Sequence, residues 1–177
     1  MSNKVFIGVS LDGYIADREG GLQFLQATPN PEQIDFGFSR FMEGIDALLM
    51  GRSTFETVCG FDCEWPYPKP VFVMSETMAT VPEAYADKAE LVHGPIDRVV
   101  RSLSERGHTR LYIDGGKLIR SFLAADMIDE LIISRVPVLL GGGTPLFGIL
   151  PGHLEFEHLE TEVLLGAVVK SHYIRRR

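Results

Sequence analysis

Apolar runs with strand character alternate along this chain with runs of helical period. VFIGVS at residues 5–10 is β-branched and apolar and reads as a buried first strand. Residues 31–42 follow a helical period. Pro31 suits a first helical turn, and Ile34, Phe38 and Phe41 recur on one face with Asp35 at its border. Residues 46–50 form the second strand, which Gly51 ends. Ser53 stands three residues before Glu56, the spacing of a capping box, so the next helix is expected to start at Ser53. VFVMS at 71–75 is the third strand and Leu91-Val92 a short fourth. A helix follows over 95–106, with Ile96, Val99, Val100 and Leu103 on one face. RLYID at 110–114 is the fifth strand, and Gly115-Gly116 and a helix over 117–125 come directly after it. The sixth strand, 128–136, is stopped by Pro137. Apolar runs at 154–159 and 163–173 flank Glu160-Thr161-Glu162 and read as an antiparallel hairpin turning at that break. This order calls for one α/β domain over 1–177, with a mostly parallel central sheet, helices on both faces and an antiparallel C-terminal edge.

The connecting segments add three expectations. Residues 11–21 form a glycine-bearing loop directly after the first strand. It is either a loop that closes over a ligand or a plain surface connection. GFDCEWPYPKP at 60–70 is irregular, and Trp65 is its anchor or a pocket wall. LLGGGTPLFG at 139–148 is apolar and glycine-rich beside an edge strand, a candidate contact with a second copy of the chain.

The chemistry concentrates at two strand–glycine–helix junctions, Gly51 and Gly115-Gly116. A helix N-terminus offers free N–H groups and the positive end of the helix dipole, an arrangement suited to phosphate. Arg52 adds a planar fork of charged donors. Side by side at the carboxyl ends of parallel strands, the two junctions would hold one long phosphate-bearing cofactor. The alternative for each is an ordinary turn, with Arg52 facing solvent.

Charge narrows the classes of partner. With 17 basic and 24 acidic residues the chain carries a net charge of −7, which opposes a general affinity for nucleic acid or anionic membrane. No apolar stretch has the length of a membrane span, and the first residues enter a strand pattern without a signal-peptide layout, so a cytoplasmic protein is expected. Cys59 and Cys63 lack CxxC spacing and are expected to be free thiols. The five histidines show no ligand spacing, and no metal is expected.

SLDGYIA, LLMGRSTFE, VFVMS, LYIDGG and MIDELIISRVPVLLGGGTPLF, in this order, resemble the dihydrofolate-reductase-like reductases. The last motif is closest to the reductase domain of the bifunctional riboflavin-biosynthesis deaminase/reductase. The chain has neither the CxxC nor the histidine pair of the deaminase half. The resemblance implies a three-layer fold and an NADPH-dependent reductase. Gly51, Arg52, Ser53 and Thr54 would hold the cofactor phosphates, with Arg52 at the 2′-phosphate. Ser75 would lie by the adenosine half, and Gly115, Gly116, Lys117 and Leu118 by the pyrophosphate. Ile15 and Ala16 would lie against the nicotinamide. The same resemblance implies a catalytic acid on the first helix, matched by Asp35, whose carboxyl pKa burial would raise. Asp12 is a second candidate, or a tie for its loop. The implied substrate is a small molecule, foremost 5-amino-6-(5-phosphoribosylamino)uracil, with a pterin as the alternative. A non-catalytic nucleotide-binding module is the competing class. Relatives of this kind form homodimers.

Overall fold

The computed structural model describes residues 1–177. Its elements in chain order are β1 (Ser2–Val9), β2 (Tyr14–Ala16), α1 (Phe38–Glu43), β3 (Ala47–Gly51), α2 (Arg52–Cys59), β4 (Val71–Met74), β5 (Ala89–Val92), α3 (Ile96–Glu105), β6 (Arg110–Asp114), α4 (Gly116–Ala124), β7 (Glu130–Arg135), β8 (Thr144–Pro145), β9 (Phe156–Leu164) and β10 (Val168–Arg175). Eight strands form one sheet in the order β5-β4-β3-β6-β1-β7-β10-β9, and β2 pairs with β8 apart from it. The strands from β5 to β7 are mutually parallel, whereas β10 and β9 run antiparallel at the edge.

Successive strand residues feed two separate cores, as the two-residue period of a strand requires. Leu48 and Met50 of β3, Val71 and Val73 of β4 and Tyr112 of β6 pack with α1 and α2 through Met42 and Phe55. Their neighbours Leu49, Phe72, Leu111 and Ile113 pack with α3 and α4 through Val99, Leu103, Ile119 and Phe122. The sheet therefore carries helices on both faces, as expected for strands that read as continuous apolar runs. Trp65 anchors its irregular loop by edge contacts to Phe55 and Tyr67, with ring centroids at 6.3 Å and 5.4 Å.

Two sequence expectations are corrected. The helix expected over 31–42 forms only as α1. Gln33, Phe36 and Gly37 take positive φ (51°, 58° and 86°), so the chain turns where the apolar spacing predicted a helix. The C-terminal hairpin forms, but its turn is at Leu165-Gly166, where both residues take positive φ, and not at Glu160–Glu162. Those acidic residues lie inside β9, the sheet edge, whose side chains mostly face solvent. Their polarity marks exposure there and not a break.

Asp46 locks the entry of β3 to the entry of β6. Its carboxylate accepts the Thr109 N–H at 3.0 Å and the Arg110 N–H at 2.9 Å, and it pairs with Arg110 Nη2 at 2.6 Å. The Arg110 guanidinium and these N–H groups hold the Asp46 carboxyl below the usual carboxylate range. Asp46→Ala is expected to lower the unfolding free energy by about 1–2 kcal/mol at neutral pH in urea denaturation. Because the folded-state pKa is depressed, this contribution is present above the ordinary carboxylate pKa. It is lost as pH falls through the depressed value, so wild type and variant converge only in strong acid.

Candidate active site

The carboxyl ends of β4, β3, β6 and β1 lie side by side, and a cleft of about 810 Å³ opens over them. This is where open α/β sheets bind ligands. β3 pairs with β6 in parallel up to Met50↔Asp114, so Gly51 and Gly115 follow as neighbours. Gly115 has φ 98°, and a Cβ there would collide with Thr54 Oγ1, so the two junctions touch only because this residue lacks a side chain. A Cβ at Gly51 would meet nothing within 4 Å, so that position borders open space.

Neither α2 nor α4 has a side-chain cap, which leaves their first-turn N–H groups free at the cleft. The capping box expected at Ser53 does not form. The helix starts one residue earlier, at Arg52, with Gly51 as its cap, and Ser53 lies inside the first turn. Glu56 instead accepts the Arg52 Nε–H at 2.7 Å, an (i, i+4) charge pair on the same helix face. Arg52 Nη1 also donates to Thr77 Oγ1 at 3.0 Å, which holds the guanidinium at the rim. Ser75 is buried and its hydroxyl accepts the Thr77 and Met78 N–H groups, shaping the turn after β4.

The far wall of the cleft comes from the segment after β1. Asp12 accepts hydrogen bonds from Ser10 Oγ (2.6 Å), Leu140 N–H (3.1 Å) and Gly141 N–H (2.8 Å), and Arg18 Nη2 donates to Gly141 O at 2.7 Å. These bonds strap β2 to the glycine-rich 139–148 segment, part of which is β8 and not loop. They carry Ile15, Ala16 and Thr144 to the cleft. The Ser10 hydroxyl, with the two N–H groups, depresses the Asp12 carboxyl to about 2. Of the two sequence readings of Asp12, the structure supports the tie.

Ile15, Ala16, Gly51, Arg52, Ser53, Thr54, Ser75, Gly115, Gly116, Lys117 and Leu118 all line this one cleft. Asp35 does not. It precedes α1, lies exposed, and accepts the Gly37 and Ser39 N–H groups, each at 2.9 Å. Hydrogen bonds from Ser39 and Gly37 lower its pKa, the reverse of the rise that burial on a helix would have produced.

Two acids line the cleft: Asp114, the last residue of β6, and Glu76, which is exposed and accepts the Gly94 N–H at 2.9 Å. Desolvation pushes the Asp114 carboxyl up to about 6, against the pull of the Gly115 N–H at 2.8 Å and of the Tyr112 hydroxyl. Tyr67 stands on the same side, and the Asp114 charge is felt at its hydroxyl. Sequence reasoning missed Asp114, although it stands at the end of a parallel strand and immediately before the glycine pair.

Residues 4–169 match the model of the RibD C-terminal domain. The chain belongs to that family. A Shewanella sp. PV-4 protein named for riboflavin biosynthesis is 50% identical, with a TM-score of 0.97 over 100% of both chains. The Thermotoga maritima diaminohydroxyphosphoribosylaminopyrimidine deaminase/5-amino-6-(5-phosphoribosylamino)uracil reductase superposes with a TM-score of 0.75 at 15% identity. That match covers 99% of this chain and 56% of the bifunctional one. Enterococcus faecalis dihydrofolate reductase, solved with NADP(H), gives a TM-score of 0.69 at 16% identity over 99% and 97% of the two chains. The dihydrofolate-reductase-like fold expected from the motifs is therefore the fold of this RibD C-terminal domain.

Carbon-13 carboxyl NMR is expected to find Asp114 titrating near 6, well apart from Asp12 and Asp35, which stay ionised down to acid pH. A value for Asp114 in the ordinary carboxylate range would remove its special status in the cleft.

Proposed function

We propose that this RibD C-terminal domain is an NADPH-dependent reductase of a C=N bond in a small heterocyclic substrate, working in the cytoplasm as a homodimer. The observation that carries the reading is that two uncapped helix N-termini open on one cleft that also holds a carboxyl with a pKa near neutrality. The Thermotoga reductase and the NADP(H)-bound fold neighbour support the reaction class. The first substrate to test is 5-amino-6-(5-phosphoribosylamino)uracil, named in the Thermotoga enzyme, and a dihydropterin is the second.

The cleft fits a dinucleotide phosphate on its own features. Gly51 and Gly115 leave the backbone approachable, and the first turns of α2 and α4 present free N–H groups. Arg52 holds a charged fork at the rim, where it discriminates a 2′-phosphate from a hydroxyl. Ile15 and Ala16 are held in place by the Asp12 strap and give an apolar seat that keeps water away from the reacting ring. NADPH bound in this cleft supplies the hydride. Asp114, protonated below about 6 and in a minor fraction at neutrality, delivers its proton to the substrate nitrogen as negative charge develops there. Asp35 caps the start of α1 and has no part in this scheme.

No helix is long and apolar enough to cross a membrane. The unpaired cysteines accord with a reducing cytoplasm. The homodimer would use the segment after β7, where Leu139, Phe147 and Ile149 are 69%, 47% and 99% exposed.

Calorimetry is expected to show NADPH binding at least tenfold more tightly than NADH, with Arg52→Ala removing the difference. Failure to bind either dinucleotide would sink the reading. Asp114→Asn is expected to lower turnover by about a hundredfold or more while cofactor affinity is kept. For wild type, kcat/KM is expected to be high below about 6 and to fall as pH rises past that value, because the protonated acid is the active form. Sedimentation velocity on Ile149→Asp is expected to give monomers where wild type gives dimers.

A further inference from the structure

Three basic residues line the cleft, Arg52, Lys117 and Arg120. Lys117 and Arg120, on the first turns of α4, have no carboxylate partner within the chain. Arg52 alone is paired. Its Nε–H donates to Glu56 Oε1 at 2.7 Å, one turn further along α2, and Nη1 donates to Thr77 Oγ1 at 3.0 Å. Nη2 donates to no group of the chain, so the end of the guanidinium fork stays open to a ligand.

Glu56 does not itself line the cleft, and its carboxylate reaches the site only through Arg52. The second carboxylate at this rim, Glu76, is bound to the Gly94 N–H at 2.9 Å and makes no hydrogen bond to Arg52. The side chains of the Arg52–Glu56 pair are 46% and 52% exposed, and an ion pair this open adds little to the stability of its helix. Its consequence lies in the charge that Arg52 presents to the cleft.

We propose that Glu56 tunes the choice of cofactor: its carboxylate competes with the 2′-phosphate of NADPH for the Arg52 guanidinium and holds the preference over NADH below what an unpaired arginine would give. A phosphate that accepts from Nη2 sits on the same planar group as the carboxylate on Nε. The two anions are then closer than the roughly 10 Å over which charges act at 0.1 M salt, so they repel while sharing one positive charge. NADH brings a neutral hydroxyl to this place and feels neither effect. The carboxylate therefore subtracts from the NADPH side of the difference alone. The inference rests on the reductase reading for the placing of the 2′-phosphate at Arg52. It extends that reading by giving a residue outside the cleft a part in cofactor choice.

The test is calorimetric titration of NADPH and of NADH into the full chain, wild type and Glu56→Gln, at about 0.1 M and about 1 M salt. Glutamine keeps an acceptor for the Arg52 Nε–H and removes the charge. At the lower salt Glu56→Gln is expected to bind NADPH about three- to tenfold more tightly than wild type, with NADH affinity unchanged. At the higher salt, where charges are screened beyond about 3 Å, the gain is expected to shrink below about twofold. A pair that only held α2 or aimed Arg52 would give weaker NADPH binding in the variant or an equal shift in both dinucleotides, and either result overturns the inference. A gain that persists undiminished at high salt overturns it as well. If wild type binds neither dinucleotide, the reductase reading fails and the inference falls with it. If wild type binds NADPH and Glu56→Gln leaves that affinity unchanged, the inference alone is overturned.

Discussion

Leu48↔Tyr112, Leu49↔Ile113 and Met50↔Asp114 pair β3 with β6 in parallel, and the candidate site depends on this register. Both strands end at the same level, so Gly51 and Gly115 are adjacent and the helices they start diverge from one place. A shift of one residue would exchange the two faces of the strand and move Leu49 and Ile113 out of their core. The apolar packing on both faces of the sheet thus fixes the height at which the two helix N-termini appear. Asp46 pins the other end of the same strand pair, where its carboxylate takes N–H groups from Thr109 and Arg110. Gly115 completes the arrangement, since any side chain there would strike Thr54 and force the junctions apart.

What could be read from the chain, and what could not, follows from the range of the forces involved. Strand, glycine and helix onset are local signals, so the junctions at Gly51 and Gly115 and the residues around them were legible, and all of them meet in one cleft. The helix expected at 31–42 failed on backbone conformation. Apolar spacing at Ile34, Phe38 and Phe41 gave the right period, but nothing in it reveals that Phe36 takes positive φ or that Asp35 accepts hydrogen bonds from the turn. The misplaced hairpin turn has the same origin, because Glu160–Glu162 look like a break unless β9 is known to be an edge. Asp114 is the converse case. Its position was visible, but its raised pKa comes from desolvation by burial, which only the fold produces.

The strap over the cleft shows how two acidic residues of the same type come to do different work. Asp12 and Asp114 each follow an apolar strand and each precede glycine. Asp12 emerges beyond the strand end, where the Ser10 hydroxyl and two N–H groups of the 140–141 backbone favour its ionised form. It is thereby committed as an acceptor and holds β2 against β8. Asp114 remains within β6, where one N–H and a tyrosine hydroxyl do not offset the loss of water. The first carboxylate organises backbone, and the second, short of water, is pushed up to about 6 at the cleft.

The division of charge inside the cleft is a consequence of the same topology. Helix N-termini at α2 and α4 supply positive potential without side chains, and the three basic residues are added there, although the chain as a whole is acidic. Beside these helix N-termini stands a carboxyl whose pKa the loss of water raises to about 6, so fixed positive potential and a titratable acid meet where β6 passes into α4.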